Sequence, residues 1–165
     1  MKEEASIELD DEKSIKDQLE ESIDKLKLLE PVVSIIINDF ETKSIEDFLN
    51  MAISEFNSIG NAIYRLGFGK IIVDEKRLRN SRRYIKDKNE ATAYLTISKV
   101  LKRGIVIYDH LNHKGRNYQT ITIAGPVIIN NLRGNVAVVV KRTNEYYYHV
   151  HRIVASDGLI FRIKK

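Results

Sequence analysis

The chain has 165 residues, of which 43% are hydrophobic, and it contains no cysteine. This length is typical of one domain, or of a small domain with a helical extension, and the apolar fraction argues against disorder along the whole chain. The lack of cysteine excludes disulfides and thiolate sites. The N-terminal residues are acidic, without the apolar core of a signal peptide, and no apolar run approaches the roughly 20 residues that a membrane helix needs. We therefore expect a cytoplasmic protein that contacts no membrane.

The net charge of +4 hides an uneven distribution. Residues 1–60 contain 6 Lys and 16 acidic residues, a net charge of −10, whereas residues 61–165 contain 21 Lys and Arg and 7 acidic residues, a net charge of +14. A half this basic is typical of proteins that contact nucleic acid or phosphate. The alternatives are that the basic surface only aids solubility, or that the acidic half packs against it.

The first half reads as helical. Apolar residues recur at helical spacing from Ser14 to the residue before Pro31, and the apolar run 32–40, which fits a buried helix or a strand, is interpreted as helix because its neighbours are helical. Ser44 and Asp47 have the spacing of a capping box, which predicts a helix from Ile45 to Leu66. The glycines of Gly67-Phe68-Gly69 then predict a break. We place a domain boundary there, between an acidic helical segment (1–69) and a basic domain (70–165).

The basic domain begins with a short predicted strand at 70–74. The densely basic stretch 76–84 fits either a solvated helix or a helix that faces phosphate. Residues 88–103 have the periodicity of an amphipathic helix, and Gly104 fits the position just after it.

Short strands with turn residues between them follow. The predicted strands are 105–108, 118–124, 127–129, 135–141, 146–154 and an edge strand at 159–163, with a break at Gly125-Pro126 and turns at Asn130-Asn131 and 143–145. Residues 135–141 are apolar almost throughout, which predicts a central strand buried on both faces. The fold class is therefore α+β, with N-terminal helices followed by an antiparallel sheet.

His151 is the leading candidate for chemistry, because it lies in a predicted strand beside Arg152 and near Lys141 and Arg142 across the preceding hairpin. A histidine titrates near neutral pH and suits general acid or base catalysis. Cleavage of RNA without a metal needs a base for the 2′-OH proton, an acid for the 5′-oxygen, and cations for the phosphorane. The alternative is a partly buried sheet histidine with no such role. A metal site shared with His149 lacks carboxylates, so we expect no metal and no cofactor.

The loop Asn112-His113-Lys114-Gly115-Arg116 lies between two predicted strands. It offers an imidazole, two cations and a glycine that lets backbone amides approach phosphate, although an ordinary solvated loop has the same composition. Thr120 follows on the next strand, where its hydroxyl is placed to bond phosphate; threonine is also common in strands.

Several of these pieces occur together in a known superfamily. The Lys99–Gly104 entry, the Asn112–Arg116 loop, Tyr118-x-Thr-x-Thr122, the Gly134–Arg142 strand and Tyr148-x-Val-His-Arg-Ile153 resemble the barnase–EndoU–colicin–RelE-like nucleases, of the type found in phage and mobile-element polyvalent proteins. The resemblance covers roughly residues 70–163. It implies helices followed by a helix-packed, four- to five-stranded antiparallel β-sheet, and a metal-independent ribonuclease that leaves a cyclic phosphate. The sheet lacks the carboxylate that barnase-like enzymes use as base, so a histidine takes that role.

The resulting hypothesis is an endoribonuclease-like phage or mobile-element effector, acting on RNA such as tRNA. The expected catalytic residues are His113, His151 and Arg142, and the expected nucleic-acid-binding residues are Lys114, Arg116, Thr120, Lys141 and Arg152. One alternative is a non-catalytic nucleic-acid-binding or protein-interaction module of a phage or conjugative system. In another, the N-terminal helices dock a protein partner, or the acidic half shields the basic site.

Overall fold

The computed structural model of the chain describes residues 17–110, 119–142 and 148–154, with His110 and residues 148–154 described by their backbone pairing. The loop residues His113, Lys114 and Arg116, the turn at 143–145 and the edge strand at 159–163 lie outside these ranges. None of the helices in the described ranges has the length and hydropathy needed to cross a bilayer.

The described chain combines short helices with one mixed sheet. The helices are α1 (17–27), α2 (Ile45–Ser58), α3 (Glu75–Asn80), α4 (Lys88–Ala93) and α5 (Ile97–Arg103), with 3-10 turns at Ser81–Tyr84 and Tyr94–Thr96. The strands are β1 (Val33–Ile35), β2 (Ala62–Arg65), β3 (Gly69–Ile72), β4 (Ile105–His110), β5 (Gln119–Ile129), β6 (Leu132–Arg142) and β7 (Tyr148–Val154). This content confirms an α+β protein.

The sheet is larger than predicted and not purely antiparallel. Its seven described strands run in the order β1-β5-β6-β7-β3-β2, and β4 also pairs with β5. The pairs β1·β5 and β3·β7 are parallel, and the others are antiparallel. The prediction of a four- to five-stranded antiparallel sheet is corrected, because two further strands, β1 and β2, come from the part of the chain that was interpreted as helical, and two of the pairings are parallel.

The strand β1 replaces the helix predicted for residues 32–40. Its residues pair in parallel with Val127–Ile129, and the Val32 amide donates to the Pro126 carbonyl at 2.9 Å. Beyond the strand, the Ile37 amide donates to the Asn130 side chain at 2.7 Å. These partners lie more than 90 residues away in the chain, so local sequence carries no sign of them.

The helix α2 begins as predicted and ends early. The Ser44 hydroxyl accepts from the Asp47 amide at 3.1 Å and the Asp47 carboxylate accepts from the Ser44 amide at 2.8 Å, which confirms the capping box. The helix ends at Ser58 because Gly60 and Asn61 take φ values of 80° and 56°, outside the helical region. The predicted extension to Leu66 is wrong, since β2 occupies residues 62–65.

The glycines at 67 and 69 form the hairpin that joins β2 to β3. Arg65 pairs with Gly69 across it, and β3 then pairs with β7. A division into 1–69 and 70–165 cuts through this hairpin, and the main hydrophobic cluster contains Phe48 as well as Ile123. Both halves of the chain therefore build one sheet and one core.

The hairpin of β5 and β6 is the longest pairing in the sheet. Asn130 and Asn131 form its turn with φ values of 50° and 68°, as expected for a two-residue hairpin loop with the twist of the flanking strands. The predicted break at Gly125-Pro126 is absent, because Pro126 pairs with Asn135 inside a continuous strand. The buried run from Val136 to Val140 confirms the central strand.

The two faces of this hairpin are covered differently. Ile121, Ile123, Val136 and Val138 face the main core with α2, α4 and α5. On the other face, Ala124 and Ala137 form a smaller cluster with Leu19 and Leu26 of α1. The sheet therefore lies between a thick helical layer and a single helix.

Gly104, expected just after the last helix, ends α5 with an extended backbone at φ −69°. A Cβ there would lie 2.6 Å from the Val100 carbonyl oxygen and 2.7 Å from the Ala124 carbonyl oxygen. Glycine is needed at this point because α5 and β5 approach closely, and not for a left-handed turn.

Candidate nucleic-acid interface

Polar residues meet in one transverse row where four strands of the sheet end or begin. Lys141 pairs with Thr120 on one side and with His149 on the other, and Thr120 pairs with His110. Neighbouring strands lie about 4.8 Å apart, so these four backbone positions span roughly three strand spacings. We call the four residues His110, Thr120, Lys141 and His149 the polar row.

A second basic residue lies one step further out. Arg142 pairs with Gln119 and with Tyr148, so it adjoins the polar row at the end of β6. Lys141 and Arg142 are both half-buried. Because side chains alternate along a strand, Lys141 lies on the face covered by α1, and Arg142 lies on the face of the main core.

Asp109 supplies a carboxylate at the same end of the sheet. Its Oδ1 accepts a hydrogen bond of 2.6 Å from the Gln119 side-chain amide across the β4·β5 pair. The bond couples the last residues of β4 to the first residues of β5, at the edge where the polar row lies. Asp109 and Gln119 were not among the predicted site residues.

Thr120, predicted to bind nucleic acid, is 6% exposed, and Thr122 on the same face is 2% exposed. The alternation of side chains along β5 places them on the same face as Ala124, which packs against α1. The Thr120 side chain is therefore largely closed to a ligand in this structure, whereas the half-buried Lys141 and Arg142 are accessible in part.

His151 and Arg152 occupy an irregular part of β7. Val139 pairs with Arg152 and Val140 pairs with Val150, so His151 is the extra residue of a β-bulge. Bulges interrupt the alternation of a strand and are frequent beside functional sites. The regular strand predicted for 146–154 is therefore interrupted at His151.

The structure brings together only some of the predicted site residues. Thr120, Lys141 and Arg142 meet at one end of the sheet, and His151 and Arg152 lie on the neighbouring strand. The predicted His113, Lys114 and Arg116 lie outside the described residues. His110 belongs to the polar row because it pairs with Thr120. No role was predicted for it from the sequence, since this pairing depends on a bulge between Val106 and Tyr108.

In the parts of the chain that the structure describes, no group of three or more His, Asp or Glu residues is placed to hold a metal ion. The local charge at the sheet end comes instead from Lys141 and Arg142, and Asp109 is engaged by Gln119. Comparison with protein-family models, with curated proteins and with solved structures found no match for this chain.

Proposed function

We propose that the chain is a metal-independent endoribonuclease that binds RNA at the end of the sheet marked by the polar row. The observation that carries the proposal is the pairing of Lys141 with Thr120 and His149, with Arg142 in the next position. Two cations beside imidazole-bearing residues are the groups that phosphodiester transfer requires. The resemblance to the nuclease superfamily covers this same region.

The chemistry is an internal transesterification. A histidine acting as general base takes the proton of the ribose 2′-OH, the 2′-oxygen forms a bond to phosphorus, and the bond from phosphorus to the 5′-oxygen breaks. A second histidine, acting as general acid, gives a proton to the leaving 5′-oxygen. The products are a 2′,3′-cyclic phosphate and a free 5′-hydroxyl.

Lys141, on the same face of the sheet as Thr120, stabilises the negative charge that develops on the phosphorane oxygens, and Arg142, on the opposite face at the end of β6, contacts an adjoining phosphate. Arginine offers a planar pair of donors to phosphate, whereas lysine acts as a point charge. Removing one such electrostatic donor typically slows an enzyme by about 100- to 1,000-fold.

Four histidines compete for the two proton-transfer roles. The resemblance favours His113 and His151, and the strand pairing places His149 beside Lys141 and His110 beside Thr120. Cleavage of a fluorescent single-stranded RNA in EDTA, with wild type beside the alanine variant of each of the four histidines, assigns them. A histidine whose removal leaves the rate unchanged has no catalytic role.

The matched electrostatic test compares Lys141→Gln with Lys102→Gln, which removes an exposed charge from α5. Lys141→Gln slows cleavage by about 100- to 1,000-fold, and Lys102→Gln leaves the rate within about twofold of wild type. If wild type releases no cyclic-phosphate product, the ribonuclease proposal fails.

A non-catalytic nucleic-acid-binding module is the second candidate, because the half-buried cations Lys141 and Arg142 can contact phosphate without any proton transfer taking place. It predicts binding of RNA without cleavage, with an affinity that falls steeply as salt rises.

A further inference from the structure

A second basic surface lies in the segment that follows β3 and packs in the helical layer. Residues 75–88 contain seven Lys and Arg and two acidic residues. Leu78 and Ile85, within this segment, are buried in the main core. Leu78 and Ile85 therefore anchor the segment to the core, so the backbone that carries its charged side chains is held in place.

Three of the seven cations are occupied by neighbouring groups. Arg79 forms an ion pair with Glu75 at 2.9 Å, and Arg82 pairs with Glu46. The hydrogen bond from Arg79 holds the pKa of Glu75 below its ordinary value, as expected for a carboxylate that stays ionised beside a guanidinium. Lys88 donates to two backbone carbonyls at 3.0 and 3.3 Å.

Three others are left to solvent. The side chains of Lys76, Arg77 and Lys86 are exposed and form no ion pair with any residue in the described ranges. The nearby carboxylates of Asp74 and Asp87 form no ion pair with these three cations and accept backbone amides as helix caps. Exposed cations without internal partners are available to an anionic ligand.

The same segment carries an exposed aromatic ring. Tyr84 is 69% exposed, and the guanidinium of Arg83 lies 5.2 Å from the centre of its ring. A tyrosine in the core would bury its ring, and this one does not. Exposed aromatic rings flanked by arginine and lysine are the usual platform on which unpaired bases stack while their phosphates meet the cations.

We infer that Lys76, Arg77, Arg83, Tyr84 and Lys86, none of which belongs to the polar row, form a binding surface for single-stranded RNA. We call these five residues the Tyr84 surface. One base stacks on the Tyr84 ring, and the cations contact the adjoining phosphates. The choice of RNA as ligand rests on the proposed function, whereas the assignment of the surface does not.

The charge contribution is tested by the salt dependence of binding. Fluorescence anisotropy of a short labelled single-stranded RNA is measured at several salt concentrations for wild type, for Arg77→Gln/Lys86→Gln and for Lys25→Gln/Lys27→Gln. In Arg77→Gln/Lys86→Gln, the fall of log affinity with log salt becomes less steep by about 1.4, because each lost phosphate contact on a single strand contributes about 0.7 to the slope. The control removes two exposed lysines from α1, on the other side of the sheet, and keeps the wild-type slope.

The stacking contribution is tested at the ring itself. Tyr84→Ala weakens binding by roughly 5- to 150-fold, the range expected for loss of one base stack, and Tyr84→Phe keeps the wild-type affinity. Tyr64→Ala, which removes another exposed tyrosine, is the matched control and leaves binding unchanged. Equal binding by wild type and Tyr84→Ala overturns the proposal, as does equal affinity for a duplex of the same sequence, whose bases are not free to stack.

The outcome for this surface is separable from that of the cleavage site. Loss of binding at Tyr84 with no cleavage by any variant supports the surface and rejects the ribonuclease. Normal binding by Tyr84→Ala and by Arg77→Gln/Lys86→Gln, together with loss of cleavage in Lys141→Gln, rejects the surface and supports the ribonuclease.

Discussion

The two faces of the β5·β6 hairpin differ in the size of what they bury. The face beneath α2, α4 and α5 carries Ile and Val side chains against Phe48 and Phe56, both almost fully buried. The opposite face carries Ala124 and Ala137 against one helix. Small side chains give little contact area, and hydrophobic stabilisation follows the area removed from water. We infer that the first face holds the fold together, whereas α1 on the second face opens at a lower cost than the main core.

The largest expected effect tests the face beneath the helices. Phe48→Ala removes a fully buried ring that lies 5.6 Å from the ring of Phe40. We expect a loss of about 3–5 kcal/mol in the free energy of unfolding, because the substitution leaves a cavity as well as losing transfer energy. Leu26→Ala, the matched truncation on the α1 face, costs about 2 kcal/mol, since α1 can settle onto the small residues beneath it.

Denaturant unfolding followed by circular dichroism measures both variants. Equal losses of unfolding free energy in Phe48→Ala and Leu26→Ala would contradict the difference between the faces. They would indicate that α1 unfolds in the same cooperative unit as the main core.

An intermediate effect is expected where β6 holds the end of α1. The Nη2 of Arg133 donates to the carbonyls of Leu26 and Leu29 at 3.1 and 2.8 Å, and to that of Lys27 at 3.4 Å. A cation at this end also interacts favourably with the helix dipole. Arg133→Ala therefore loosens α1 by about 1.5–3 kcal/mol, the range for hydrogen bonds from a charged donor.

Hydrogen exchange distinguishes local from global loosening in this variant. The amides of α1 exchange at least tenfold faster in Arg133→Ala, and those of β6 keep their protection. Arg133→Lys keeps the charge but not the planar fork, and gives an intermediate rate. Uniformly faster exchange across the sheet would contradict the separate opening of α1.

The same variant tests whether the acidic N-terminal part shields the candidate site. Truncation at Gly69 is unsuitable, because it removes β1, β2 and α2 from the shared sheet and core. If α1 shields the polar row, Arg133→Ala cleaves or binds RNA more strongly than wild type. An unchanged rate with faster exchange in α1 rejects shielding.

The parts of the fold that depend on neighbouring residues were predictable, and those that depend on distant partners were not. The capping box at Ser44 and the turn at Asn130-Asn131 involve contacts within a few residues, and both are confirmed. The strand β1 exists because it pairs with Val127–Ile129, and the apolar run alone fits helix or strand equally. Gly125-Pro126 suggested a break, yet the Pro126 carbonyl is used to bind β1.

The pairing of Thr120 with Lys141 in the candidate site could be predicted from the turn at Asn130-Asn131. A two-residue loop at Asn130-Asn131 pairs Ile129 with Leu132, and nine further steps along each strand pair Thr120 with Lys141. The remaining pairs were out of reach, because bulges beside Val106 and Val139 shift the strands that carry His110 and His149. A bulge adds one residue without a distinctive local sequence, so these pairings need the structure.

The smallest expected effect concerns the cap of α2, the helix that bears Phe48. Ser44→Ala costs about 1 kcal/mol by leaving amides of the first turn without an acceptor. Unlike loss of the Arg133 contacts, this cost lowers the stability of the whole protein, because α2 belongs to the main core. Exchange in β6 and in α2 therefore rises together in Ser44→Ala.

The contribution of the α2 cap to stability depends on pH through the Asp47 carboxylate. Hydrogen bonds from the Ser44 amide and hydroxyl lower the pKa of Asp47 below its ordinary value of 3.8. A carboxylate whose pKa is lowered by folding contributes stability that is fully present above the unfolded pKa and is lost as pH falls through the folded one. Asp47→Asn is therefore less stable than wild type at neutral pH, and the difference shrinks in acid below pH 3.8. Urea unfolding of wild type and Asp47→Asn at neutral pH and below pH 3.8 measures this difference. A loss in Asp47→Asn that is the same at both pH values would contradict the prediction, because it would come from the altered capping geometry alone.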